Sequence, residues 1–474
     1  MASNQNNNLM IISSSRIILP YSTEPTPGTI EIDKSTGKII KIHPYKLSIN
    51  DYNEEQFLDV GNNVVMPGVI DAHVHLNEPG RTQWEGFETG TKAAAAGGVT
   101  TVIDMPLNSI PPTTSVSNLQ EKINAARGKC WVDVGFFGGV IPGNQDELVP
   151  LIKAGVKGFK GFLIDSGVDE FPRVNEQDVR KAFEKLQGQD SFLMFHAEME
   201  GSNTNILETE SKEYYEQIPP NNYEKFLLSR PQSLELNAIS LIIDLTKQYK
   251  NNVKTHIVHL SASDAIPLIQ QAKSDGINLT VETCFHYLCL SSEKIPNGKT
   301  EFKCCPPIRE ESNREKLWQA LLDGTIDYVV SDHSPCTADL KKFDDKEEER
   351  DFIKAWGGIS TLQFGLPVLW TEAKNRGVSF KQLSTWLSKN TSKQVGLHDR
   401  KGEIKVGFDA DFVIWDPEEK FEVTSELIHF KNKVTPYLGN TIFGVVHKSI
   451  IRGNIVYDKS NGGLIKIPCG ELLV

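Results

Sequence analysis

Eight apolar runs alternating with helix-like segments constrain what this chain can fold into more than any other feature of it. The runs lie at 69–75, 99–105, 131–137, 156–163, 192–197, 253–260, 278–284 and 326–331, and helical patterning falls between them at 86–96, 175–187, 233–250 and 313–322. Eight strands with intervening helices predict a (β/α)8 barrel, whose usual ~250 residues tolerate insertions. The barrel should close near Ser388. Outside it the texture is β-like: short runs broken by turn residues such as Ser35-Thr36-Gly37 on one side, and GEIKVGFDADFVIWDP and FGVVHKSIIRGNIVYD on the other. The chain is therefore read as α/β, with a barrel at 66–402 inserted into a small β-sandwich domain formed by 9–65 and 403–474. An Asn-rich tail at 1–8 is expected to be disordered.

A length of 474 residues and an apolar fraction of 39% accommodate one large enzyme domain with a satellite. The formal charge of −12 and the lack of a Lys/Arg-dense stripe argue against nucleic acid or an anionic membrane as partner. A small neutral substrate fits better. Seven scattered cysteines, an odd number without paired C-x-x-C spacing, suit reduced thiols in the cytoplasm. No basic-then-apolar leader, no apolar run near the ~20 residues of a membrane span and no retention tail stand against that compartment.

In such barrels the chemistry gathers at the C-terminal ends of the strands. His73 and His75 end the first run, two apart and so on one face of a strand, where they can close on one ion. Lys160 lies near the end of the fourth, His196 ends the fifth, His259 the sixth and Asp332 the eighth. Each has a bland alternative. Lys160 could snorkel to solvent, His196 could be a hydrogen-bonded core histidine, His256 competes with His259, and Asp332 could cap a helix. Four imidazoles and a carboxylate exceed what one tetrahedral zinc needs, so two metals are the natural solution. A lysine ammonium cannot ligate a cation, but its neutral amine with carbon dioxide gives a carbamate able to bridge two.

The order H-x-H, GFKGF, FHAE, HIVHLS and SDHSP resembles the cyclic amidohydrolase branch of the amidohydrolase superfamily, over roughly 66–359. Within it, DAHVHLNEPGRTQWEGFETG, DMPLN, VETCFHYL, KCCPPIR and AWGGISTLQ are similar to the allantoinases. That resemblance implies that His73, His75, Lys160 as N6-carboxylysine, His196, His259 and Asp332 ligate two divalent ions, zinc foremost, with cobalt, manganese or iron as alternatives. It implies a metal-bridging hydroxide that opens the hydantoin ring of allantoin to allantoate, with Asp332 as proton carrier, and a homotetramer.

Dihydroorotases carry an arginine for the substrate carboxylate where this chain has Asn77, which favours an uncharged ring. Asn108 in DMPLN is either a second substrate amide or a turn former. By analogy with hydantoinases and dihydropyrimidinases, backbone groups at Cys305 and Gly357 would hold the ring. Arg81, Glu85 and His286 are expected near the rim in structural hydrogen bonds. The charge run 341–351 is read as a solvated loop, with a lid as the alternative. The rival readings are a hydantoinase, dihydropyrimidinase or dihydroorotase-like enzyme, and a non-catalytic scaffold on this fold.

Overall fold

The two chain ends meet in one sheet, and the barrel grows out of the seam. The computed structural model describes residues 8–201 and 209–474, so the expected tail lies almost wholly outside the described residues. The strand Val64–Pro67 runs antiparallel to Phe412–Glu422, with Met66 opposite Val413, and parallel to Leu9–Ile17. Thr26–Asp33 and Lys38–His43 extend the sheet on one side, and Thr441–Ile451 and Asn454–Asp458 on the other. Ile12, Ile30, Ile32, Phe412, Ile414 and Ile450 bury one face of it as a core of its own.

Immediately after Pro67 and Gly68 the barrel begins. Its eight parallel strands, numbered here in chain order, are β1 (Val69–Val74), β2 (Val99–Asp104), β3 (Asp133–Phe136), β4 (Phe159–Phe162), β5 (Phe192–His196), β6 (Lys254–Ile257), β7 (Leu279–Cys284) and β8 (Tyr328–Val330). Each pairs with the next, β3 reaching β4 through the short continuation Gly138–Gly139. A bridge between Val74 and His333 closes the ring. All eight expected strands are present, one to three residues shorter at their ends, as hydrogen-bonded boundaries usually are. The four expected helices stand at Phe87–Ala96, Glu176–Leu186, Gln232–Gln248 and Glu311–Leu322.

Phe136, Phe159, Leu193, Ile257, Val281 and Val329 are fully buried; most lie on the strand faces opposite Lys160, His196, His256 and Glu282, so they pack the strands against the surrounding helices, and the working end lies at one rim. At the other side the chain end returns to the barrel: Val134 N–H donates to Glu471 O and Leu473 N–H to Val134 O. No helix among the described residues is long and apolar enough to cross a membrane.

Candidate metal and substrate site

β1 delivers His73 and His75 to the rim on one face, as their spacing requires. Their Nε2 atoms lie 3.2 and 3.4 Å from Oδ1 of Asp332, and the ligand atoms of all three fall within 4.8 Å of one another. His259 completes the inner ring, its centroid 5.6 Å from that of His73 and 4.6 Å from that of His196. His196 stacks on Phe162 at 4.7 Å.

Two of these residues owe their aim to backbone rather than strand. His259 and Asp332 follow their strands by two residues and take φ of 41° and 42°, a left-handed conformation costing about 1–3 kcal/mol in a residue with a Cβ. That turn brings His259 among the other imidazoles. His256, the rival, stays inside the barrel, its ring stacked on Tyr328 at 5.3 Å and its Nε2 3.1 Å from Glu282.

Burial lowers the affinity of all four rim imidazoles for a proton, which leaves them neutral and able to ligate. Burial works against the charge of Asp332, but the facing His73, His75 and His259 outweigh it, and its pKa stays well below the ordinary carboxylate value. Ser334 Oγ also donates to Oδ1 of Asp332 at 2.8 Å.

Lys160, on β4, is 1% exposed, so the snorkelling alternative is gone. It forms no ion pair among the described residues, and burial brings its pKa from 10.5 down to about 8, against the pull of Asp332 and Glu282. Such an amine keeps a neutral fraction of about a tenth at pH 7, where an ordinary lysine keeps almost none.

Partners not foreseen from the sequence orient these groups. His73 Nδ1 donates to Glu282 Oε1 at 2.5 Å, which turns Nε2 toward Asp332. His196 Nε2 donates to Glu198 at 2.6 Å, which fixes the ring through that nitrogen. Glu198 is in turn gripped by Arg230 at 2.9 and 2.6 Å. Among the described residues Nδ1 of His259 is buried without a hydrogen-bond partner, so it is open to a cation. Neutral imidazoles, a carboxylate and a deprotonatable amine at one rim form a donor set that fits divalent ions. The other His/acid cluster among the described residues, Asp416, Glu419 and His447, is half-exposed, and Lys459 already pairs with Glu419 at 2.9 Å.

A cavity of about 290 Å³ opens over the ring. His73, His75, Lys160, His196, His259 and Asp332 form part of its wall, with Asn108, Arg230, Cys305, Ser334 and the strip 354–358. Cys305 and Gly357 thus both face it. A Cβ on Gly357 would sit 2.7 Å from Cys305 Sγ, so any side chain there would have to displace that thiol. Asn108 reaches the wall too, with its amide 3.3 Å from His75 Nδ1. Asn77 does not line the cavity; its amide donates to Pro335 O at 3.3 Å.

The neighbours behave unequally. Arg81 donates to Asn108 O and pairs with Glu170, and Glu85 accepts from Lys431 N–H at 3.1 Å and meets His333 at 3.2 Å. His286 departs from expectation, since neither of its ring nitrogens has a hydrogen-bond partner among the described residues. The charge run is not wholly solvated either: Lys341 is buried, because its ammonium reaches inward to the Lys303 carbonyl at 3.0 Å.

The amidohydrolase family model matches residues 64–456, which takes in the barrel and most of the returning strands. An allantoinase of Saccharomyces cerevisiae is 48% identical over 96% of this chain and 94% of its own length. A protein of Aquarana catesbeiana named mitochondrial allantoinase is 51% identical over 84% of this chain and 78% of its own. Among solved structures, L-hydantoinase (dihydropyrimidinase) from Arthrobacter aurescens superposes with a TM-score of 0.87 at 27% identity, covering 98% of this chain and 99% of that one.

Proposed function

The chain belongs to the amidohydrolase family, and from that premise we propose that it hydrolyses a cyclic amide, the substrate being allantoin and the product allantoate. The observation that carries this reading is the likeness to allantoinases along nearly the whole chain, joined to a rim whose donors fit divalent ions. His73, His75, Lys160 as N6-carboxylysine, His196, His259 and Asp332 would hold two such ions, zinc the expected metal, with carbon dioxide supplying the carbamate. When bound, the ions supply Lewis acidity toward the ring carbonyl and lower the pKa of water.

The remaining chemistry falls to the protein. Asp332, ionised, oriented through Oδ1 by Ser334 and set against His73 and His75, is the carboxylate placed to accept a proton from attacking water and return it to the departing ring nitrogen. Glu282 and Glu198 fix which imidazole nitrogen faces inward. Arg230 spends two of its guanidinium nitrogens on Glu198, so the pair is close to neutral and offers little to a carboxylated ring. That favours an uncharged ureide over dihydroorotate, and Cys305, Gly357 and Asn108 stand where peptide and amide groups could bond its edges.

Hydrolysis of allantoin, hydantoin, dihydrouracil and dihydroorotate by purified protein, with metal content measured in the same sample, tests the reading. Allantoin should be preferred by at least about tenfold in kcat/KM. Preference for hydantoin or dihydrouracil would favour the second reading, which the hydantoinase superposition supports. We assign the enzyme to the cytoplasm, consistent with seven unpaired cysteines, and to a homotetramer; cell fractionation and light scattering check each.

A further inference from the structure

Two buried ammonium groups tie down the loop that forms one wall of the cavity. Lys303 is 6% exposed; its Nζ donates to the carbonyls of Ile353 at 2.9 Å and Ala355 at 2.6 Å and lies 4.8 Å over the ring of Phe226. Lys341 donates to the carbonyls of Lys303 at 3.0 Å and Thr300 at 3.4 Å, and the Thr300 hydroxyl donates back to Lys341 O. Backbone bonds complete the seam: Gly358 N–H to Lys303 O at 2.9 Å and Trp356 N–H to Leu340 O at 2.8 Å.

Among the described residues neither lysine pairs with a carboxylate, so each charge is buried against neutral dipoles. An apolar side chain would fill the space at lower cost. What the two ammonium groups hold in return is the wall itself: Leu340, Ala355, Trp356, Gly357 and Gly358 all face the cavity. The strip is confined between Cys305 and Ser334, since a Cβ on Gly358 would lie 2.2 Å from Ser334 O. Any shift of the strip therefore moves peptide groups beside Asp332.

We propose that Lys303, assisted by Lys341, is a positioning residue for substrate binding, its ammonium fixing the strip 355–358 where those peptide groups can bond the amide edge of a cyclic ureide. This rests on the cavity being the substrate site named above. Planar ureides expose alternating N–H and C=O groups that peptide groups match, so the strip's place should govern affinity more than the chemical step.

Lys303→Met removes the donors at similar length, and Lys303→Arg keeps them. For the Met variant, KM for allantoin should rise by about ten- to a hundredfold, the weight of lost charge-assisted hydrogen bonds, with kcat and metal content within about threefold. The Arg variant should recover most of that loss. Cleavage at Lys342 or Lys346 by a lysine-specific protease should quicken in the Met variant with or without substrate.

An unchanged KM, or a fall in kcat that tracks lost metal, would overturn the assignment. Should Lys303→Met fail to fold, Lys341→Met carries the same comparison. If the unaltered enzyme ignored allantoin, the substrate reading would fall alone, and the protease rates would still decide whether Lys303 holds the strip.

Discussion

Asp332 faces His73 and His75 through one oxygen and Ser334 through the same atom, an arrangement that separates holding a cation from moving a proton. Asp332→Asn should therefore lower kcat by about 10²–10⁴ while the purified protein still takes up metal, as steady-state kinetics beside elemental analysis would report. Full turnover in that variant would remove Asp332 from the proton path. Glu282 and Glu198 act one step further out: Glu282→Gln or Glu198→Gln should weaken metal binding about 10–100-fold, read by chelator competition. Lys160 carries a pH prediction. Carbon dioxide reacts with the neutral amine only, and with the pKa lowered to about 8 the neutral fraction rises from about a tenth at pH 7 to a half at pH 8. At constant dissolved carbon dioxide, reactivation of metal-stripped protein by zinc should accelerate as pH rises through 8 and then level off. A rate that kept climbing tenfold per unit to pH 10 would mean an unshifted lysine.

At the scale of elements, the barrel was legible because each strand falls in a segment with an apolar pattern, and because rim residues lie at or just beyond the ends of those segments. His73, His75, Lys160 and His196 could be placed by that adjacency alone. What pattern could not supply was backbone direction. Choosing between His256 and His259 turns on a left-handed residue after β6, which no apolar periodicity encodes. Glu282 lies within β7, where an acidic residue reads as a strand surface, and Arg230 meets Glu198 from 32 residues away. Charge misled at Lys341, which the run 341–351 reads as solvated but carbonyl dipoles draw inward. Asn77 stands where dihydroorotases carry their arginine, and its side-chain amide donates to Pro335 O.

For the molecule as a whole, the joint between barrel and β domain is ionic. Lys401, fully buried, donates to Asp133 of β3 at 2.7 Å and to Asp411 at 2.6 Å, while Arg452 grips Asp133 and donates to Cys469 O at 2.7 Å. Lys401→Met would leave Asp411 without its cationic partner and Asp133 with Arg452 alone, and should cost about 3–5 kcal/mol, seen as a lowered unfolding midpoint in denaturant. The midpoint of Lys401→Arg should fall less. The rim lies at the opposite ends of these strands, so folded Lys401→Met should keep its metal content.

We propose that carbamylated Lys160 and five neighbouring side chains hold two cations that make the protein an allantoin hydrolase. The most direct test is allantoin turnover measured against bound metal through one cycle of chelation and reconstitution with zinc and bicarbonate. The prediction is turnover that vanishes with the metal and returns in full only near two ions per chain. Undiminished turnover in metal-free protein, or full turnover at one ion per chain, would contradict it.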